Sequence, residues 1–143
     1  MGKSLPQIKT VLGFDFGLKR IGVAVGQIIT KTAAPLPYLN AQDGAPKWEN
    51  VKSLIEEWSP QLLIVGCPLH MDGSEQPLTK MAKRFGNRLH GRFNLPVEWV
   101  DERLTSYEAQ LRADEQGYKL DSGEKNLDSY SATIILEQWL SQR

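Results

Sequence analysis

Asp15 stands inside the apolar run VLGFDFG, from Val11 to Gly17. An isolated carboxylate in such a run costs on the order of several kcal/mol unless it is paired, hydrogen-bonded or bound to a metal ion. Lys19 or Arg20 could pair with it as a purely structural answer. Asp128 raises the same question, because it begins a helical stripe shared with Ala132, Ile135 and Trp139. An acid near a helix N-terminus is also stabilised by the helix dipole, so alone it fits a cap as well as a ligand. The third place is Asp101-Glu102-Arg103, directly after the strand-like Trp99-Val100. Open α/β sheets put their sites at such strand ends. Neighbouring strand residues point to opposite faces, so at most one of Asp101 and Glu102 joins a common cluster, and the pattern leaves both open. Three acids from separate elements suit a hard cation such as Mg2+ or Mn2+. Paired ions of that kind activate water and stabilise the leaving oxygen in phosphodiester hydrolysis.

The elements that would position these acids follow from periodicity. Val11–Gly17 suits a strand buried on both faces. Ile21–Gly26 (IGVAVG) alternates branched with small residues, as in a strand with one closely approached face. The short link Leu18-Lys19-Arg20 makes these two a hairpin. Thr32–Leu39 contains Pro35 and Pro37, which place a third strand at an edge. Trp48, Val51, Leu54, Ile55 and Trp58 recur at helical spacing before Pro60. Leu62–Gly66 is a buried strand, followed by a loop to Gln76 and a helix whose inner face is Met81, Ala82, Phe85 and Leu89. Val97–Val100 is a further strand. Thr105 and Glu108 have capping-box spacing for a helix that ends near Gly117. Tyr118–Glu124 is polar and expected to move, and Leu127–Leu140 is the last helix. Three antiparallel strands followed by βα units predict an α/β domain with one mixed sheet and helices on both faces.

Composition narrows the function classes. The chain has 143 residues, 41% hydrophobic and 24% charged. That is the size and make-up of one globular domain, residues 1–143, with 1–10 expected to be flexible. No apolar run approaches a membrane span, and Met1–Thr10 lacks the apolar core of a secretory signal, so the expected location is cytoplasmic. Cys67 is the only cysteine and is expected to pack rather than react. Two histidines with one cysteine argue against structural zinc. The 17 basic and 17 acidic residues balance, which argues against a uniformly basic surface but allows a local stripe.

One such stripe is present. Lys80, Lys83, Arg84, Arg88 and Arg92 fall in one predicted helix, and Lys80, Arg84 and Arg88 are spaced to share a face. Like charges at that spacing weaken a helix slightly, and a phosphate backbone alongside reverses the cost. A plain solvated face is the competing reading. Lys19 and Arg20 beside Asp15, with Arg103 and Thr105 on the other side, are candidate backbone contacts, which position a strand without reading its sequence. The four tryptophans fit a core at helical spacing better than a stacking platform.

Four segments together, GFDFGLKRIGVAVG, VGCPLHMDGSEQP, VDERLTSYEA and LDSYSATIILEQWL, resemble the YqgF family. Its members are ribonuclease-H-like proteins described as Holliday junction resolvases and as pre-16S rRNA nucleases. The likeness spans Val11 to Leu140. It implies a ribonuclease-H-like fold with a five-stranded mixed sheet. It also implies catalytic, metal-holding acids at Asp15, Glu102 and Asp128, with Mg2+ or Mn2+ as cofactor. The implied role is hydrolysis of phosphodiester bonds in maturing the 5′ end of pre-16S rRNA, on nucleic acid and on the ribosomal small-subunit precursor. A monomer or weak dimer with no membrane partner is expected. Two alternatives remain: a junction-cutting DNA endonuclease acting on branched DNA, and a non-catalytic ribosome- or transcription-associated binding module. An ATP-binding protein of the actin and sugar-kinase type also carries an Asp-x-Gly hairpin, but needs two such domains. No P-loop or dinucleotide glycine motif is present.

Overall fold

A computed structural model describes residues 8–69, 72–101 and 127–143, with only the helical backbone described for Leu127 and Asp128. The strands are β1 (Thr10–Asp15), β2 (Arg20–Gln27), β3 (Thr32–Gln42), β4 (Ala45–Pro46), β5 (Leu62–Cys67) and β6 (Val97–Asp101). The helices are α1 (Trp48–Trp58), α2 (Pro77–Phe93) and α3 (Leu127–Leu140). The strands form one sheet in the order β4-β3-β2-β1-β5-β6. β1, β2, β3 and β4 pair antiparallel, and β1, β5 and β6 run parallel.

This is the expected mixed sheet with a sixth strand added. β4 spans two residues and returns from β3 through Asp43-Gly44, both at positive φ (51° and 84°). Positive φ at both central residues is the turn that suits the twist of a two-residue hairpin, and Asp-Gly is its preferred pair. β3 runs on to Gln42, beyond the predicted end at Leu39, but its partner on the outer side reaches only Ala41 and Gln42. Pro35 and Pro37 therefore lie on an open edge, as predicted, where a missing N–H breaks no ladder.

Helix ends are set locally. Ser59 and Asn94 take left-handed backbone and return their N–H groups to Ile55 O and His90 O, closing α1 and α2. At the start of α2 the Gln76 N–H donates to Thr79 Oγ1, and Pro77 occupies the first turn, where its missing N–H is not needed. Thr10 opens β1, and the N–H groups of Lys9 and Thr10 both donate to Gln61 Oε1.

The sheet buries both faces. On one side Leu12, Phe14, Phe16, Ile21, Val23, Leu63 and Val65 pack against α1 and α2. On the other Val11, Ala24, Leu62 and Ile64 pack against α3. Two inward predictions change: Met81 is 37% exposed rather than internal, and Trp99, on the strand predicted there, is 38% exposed rather than part of the core. α3 is buried on more sides than its predicted stripe, since Ser129, Ser131, Thr133 and Ile134 are buried as well. Among the described residues, no helix is long and apolar enough to cross a membrane. The predicted helix beginning at Thr105 and the polar segment before Asp128 lie outside the described residues.

Candidate active site

Asp15 is the last residue of β1, half-buried, and in register with Gly22 of β2 and Gly66 of β5. Strand alternation fixes its side. Val11 packs on α3, and a Cβ built at Gly13 would lie 2.6 Å from Leu136 of α3. Residues 11, 13 and 15 thus share the α3 face. Both register neighbours of Asp15 are glycines, which leaves the sheet beside its carboxylate without competing side chains.

α3 is drawn close to this end of the sheet. Gly13 and Gly26 have no side chain to hold the helix off, and Leu136 fills the space over both. Ser129 is fully buried, and its Oγ accepts a hydrogen bond of 3.2 Å from the Val23 N–H. Val23 lies at an irregularity in the β2–β3 register, one residue from the Gly22 that pairs with Asp15. A second bond inside the helix, Thr133 Oγ1 to Ser129 O, ties the next turn. The first turn of α3, with Asp128 next to Ser129, therefore starts over the strand end that carries Asp15.

Asp101 closes β6, in register with Cys67 of β5. On β6, Trp99 meets Gly86 of α2, whereas Glu98 accepts a hydrogen bond from Trp139 Nε1 of α3. Alternation then puts Asp101 on the α2 side, opposite to Asp15. Glu102, Arg103 and Thr105 lie outside the described residues. Cys67 is buried, in keeping with a packing role. Among the described residues no three Asp, Glu, His or Cys side chains gather in one metal-sized group.

The candidate basic contacts divide. Lys19 is exposed in the β1–β2 link, and its carbonyl accepts from the Ala41 N–H. Arg20 stands 5.8 Å over the Tyr38 ring. Lys80, Arg84 and Arg88 are exposed on α2, the far side of the sheet from Asp15. Lys83 pairs with Glu75 at 2.7 Å, and Arg92 stacks 4.4 Å from the Trp48 ring centroid. These last two are thus engaged by the protein itself. Sequence reasoning missed the β3–β4 turn, whose Gly44 N–H donates to Leu18 O and so holds the segment after Asp15. The Asp-Gly pair was its signal.

The profile of the RuvX family, described as Holliday junction resolvase, matches residues 9–142. The chain belongs to this family of nucleases. A relative in Actinobacillus pleuropneumoniae serotype 5b is 57% identical, over 92% of this chain and 96% of the relative. One in Aeromonas salmonicida is 51% identical, over 94% and 96%. Both are named "Putative pre-16S rRNA nuclease". In fold the chain is similar to Thermus thermophilus RuvC solved with a Holliday junction substrate, with a TM-score of 0.60 at 15% identity, over 94% of this chain and 95% of that one. The fowlpox virus Holliday junction resolvase gives 0.56 at 14% identity, over 94% and 99%. The ribonuclease-H-like fold expected from the sequence is thereby shown.

Proposed function

We propose that this RuvX-family chain is a single-domain, divalent-metal-dependent nuclease that hydrolyses phosphodiester bonds at the 5′ end of pre-16S rRNA. The observation that carries the proposal is the placement of Asp15. A half-buried carboxylate at the sheet's end shares a face with α3, whose first turn is locked there through Ser129. Asp128 is the second acid, brought by that turn. Glu102, the acid that follows Asp101 and that the family resemblance implies, is taken as the third. These are hard oxygen donors, the chemistry that Mg2+ or Mn2+ requires. A divalent ion held by them supplies positive charge where negative charge grows on the phosphate oxygens.

The chain's own residues do the rest. Asp15, fixed by β-pairing on both sides, sets where the scissile phosphate sits. Lys19 and Arg20, which follow it, neutralise the phosphates flanking that point, and Arg103 and Thr105 add further contacts to the strand. Lys80, Arg84 and Arg88 bind the same strand farther along. Such contacts set position and affinity rather than sequence. The protein works in the cytoplasm, as a monomer or weak dimer, on free precursor RNA or on the small-subunit precursor particle.

The family's description and its RuvC-like fold support a second reading, cutting of branched DNA. Cleavage of a 5′-extended 16S precursor and of a four-way DNA junction, with Mg2+, Mn2+ or chelator, separates the two. Metal-dependent cutting of the RNA, lost in folded Asp15→Asn, is the expected result. Cutting of the junction alone selects the DNA reading. Full activity of Asp15→Asn would falsify the mechanism, and inactivity of folded wild type on both substrates and on precursor particles selects a binding module.

A further inference from the structure

Where β1 gives way to the link carrying Lys19, a groove of about 220 Å3 opens between the β3–β4 turn and α2. Its floor is Phe16, the residue after Asp15, with Phe85 beneath. One wall is Met81, Arg84 and Arg88, and the other is Asp43 with Gly44. A larger groove, about 570 Å3, is lined by residues 40–43 and 45–47 with Asn50, and by neither Phe16 nor any residue of α2.

Three features of the smaller groove point to one kind of occupant. First, two of the exposed large hydrophobic side chains flank it. Met81 is 37% exposed, and Leu18, 44% exposed, comes 3.7 Å from where a Gly44 side chain would begin. Second, Arg84 and Arg88 stand one turn apart on the rim, and among the described residues neither has an acid partner, whereas the neighbouring Lys83 and Arg92 are engaged. Third, the walls differ in charge. A phosphate would be drawn to the arginine wall and repelled by Asp43, whose carboxylate can instead accept a hydrogen bond from a base amino group. The Gly44 backbone, at φ 84°, closes tightly on Phe16, where any side chain would collide at 2.7 Å. This wall is therefore preformed.

We propose that this groove seats an unpaired nucleotide of a single nucleic-acid strand, its base against the exposed Met81 and its phosphates along Arg84 and Arg88. The inference rests on the nuclease reading above and adds that the substrate is unpaired where it reaches the enzyme. A recess this small admits one base turned out of a strand, whereas a duplex keeps its bases stacked and offers their edges and its backbone but no free base face. Base stacking on an apolar or guanidinium surface is tolerant of sequence, as the walls here require. The strand then runs past Leu18 and Lys19 over the end of the sheet to Asp15.

Fluorescence anisotropy in chelator tests this without any cleavage. The probes are short unstructured pyrimidine strands of RNA and of DNA, run separately, and hairpin duplexes of equal length. Wild type is expected to bind a single strand more tightly than its duplex. Met81→Ala, at an exposed position that leaves the fold intact, should weaken single-strand binding by about tenfold and leave duplex binding alone. Arg84→Ala with Arg88→Ala should weaken both and flatten the salt dependence by one to two in logarithmic slope, on the order of one phosphate per arginine. A single-strand preference abolished by Met81→Ala supports the groove, and the better of the two strands names its source. Duplex binding as tight as single-strand binding, or single-strand binding indifferent to Met81→Ala, overturns it. The nuclease reading fails separately: binding lost in Met81→Ala while wild type cuts nothing with metal would leave the groove standing, and metal-dependent cutting with a silent Met81→Ala would leave only the nuclease.

Discussion

The two faces of the sheet are built from the same strands and packed by opposite means. On the α1–α2 side large rings fill the space. Phe85 meets Phe14 at 5.6 Å edge-on, Phe16 at 5.5 Å and Trp48 at 6.0 Å. On the α3 side the helix presses on Gly13 and Gly26, and a hydroxyl of the helix bonds directly to a strand N–H. Aromatic packing leaves surface at its margin, and there the groove of Phe16, Met81, Arg84 and Arg88 lies. Close packing leaves little play, and there Asp15 lies. On the proposed reading, chemistry belongs to the α3 face and strand handling to the ring-packed one.

The sharpest way to break this comparison is to remove one carboxylate from each face. Asp15→Asn should lower kcat by about a thousandfold, because charge stabilisation at a metal site is worth roughly 4 kcal/mol. Asp101→Asn should change it by no more than a few-fold, since it lies on the other face. Single-turnover cleavage, with circular dichroism to verify folding, measures both. Equal losses would refute the assignment of faces.

Packing variants come next. Phe85→Ala removes the ring shared by three aromatic contacts and should cost about 3–5 kcal/mol of stability. Gly13→Ala drives a methyl into Leu136 with β1 behind it and should cost about 1–3 kcal/mol. Urea unfolding ranks them. The comparison predicts the reverse ranking in activity: whatever folded Gly13→Ala remains should cut more slowly than folded Phe85→Ala, because the shifted helix carries Asp128.

Much of this was legible in the sequence. Val11–Gly17 and Leu62–Gly66 read as buried strands because both faces are covered, and IGVAVG announced a closely approached face, which Leu136 and Leu140 supply at Gly26. Pro35 and Pro37 marked the edge. The choice between Asp101 and Glu102 was not legible. Alternation says only that they differ; Gly13 against Leu136 and Glu98 against Trp139 put Asp101 on the side away from Asp15, and Glu102 lies outside the described residues. Met81 looked internal because its spacing from Phe85 is that of a helical stripe. It sits at the stripe's margin, next to a hairpin whose extra strand is two residues long. The basic stripe was visible as charge, but its lying across the sheet from Asp15 depends on how the chain crosses over.

Ser129→Ala sharpens the comparison at a single bond. The Val23 N–H would be left buried without this acceptor, at a cost of about 1–3 kcal/mol. Ser129→Thr keeps the hydroxyl, so it should recover more activity than stability if the bond sets the start of α3. Thermal melting and cleavage across Mg2+ concentrations measure the two. A purely structural role would move the melting temperature and leave the metal dependence unchanged.

The smallest effect belongs to the outer edge of the ring-packed face, where Lys83 holds Glu75 and so ties the loop before α2 to the helix. The hydrogen bond from Lys83, then its charge, lowers the Glu75 pKa, and the same bond raises that of Lys83. A lowered carboxyl pKa contributes stability above the ordinary glutamate range, and this is lost as pH falls through the lowered value. The raised lysine contributes below the ordinary lysine range, and this is lost as pH rises through the raised value. Glu75→Gln should therefore lower the melting temperature slightly and evenly across neutral pH, and the difference should close in acid. Both side chains are nearly half exposed, at 48% and 46%, so added salt should shrink it too. A gap that widens in acid, or resists salt, would mean that Glu75 acts through contacts other than Lys83, and that the loop is anchored instead by Thr79 to Pro68 O.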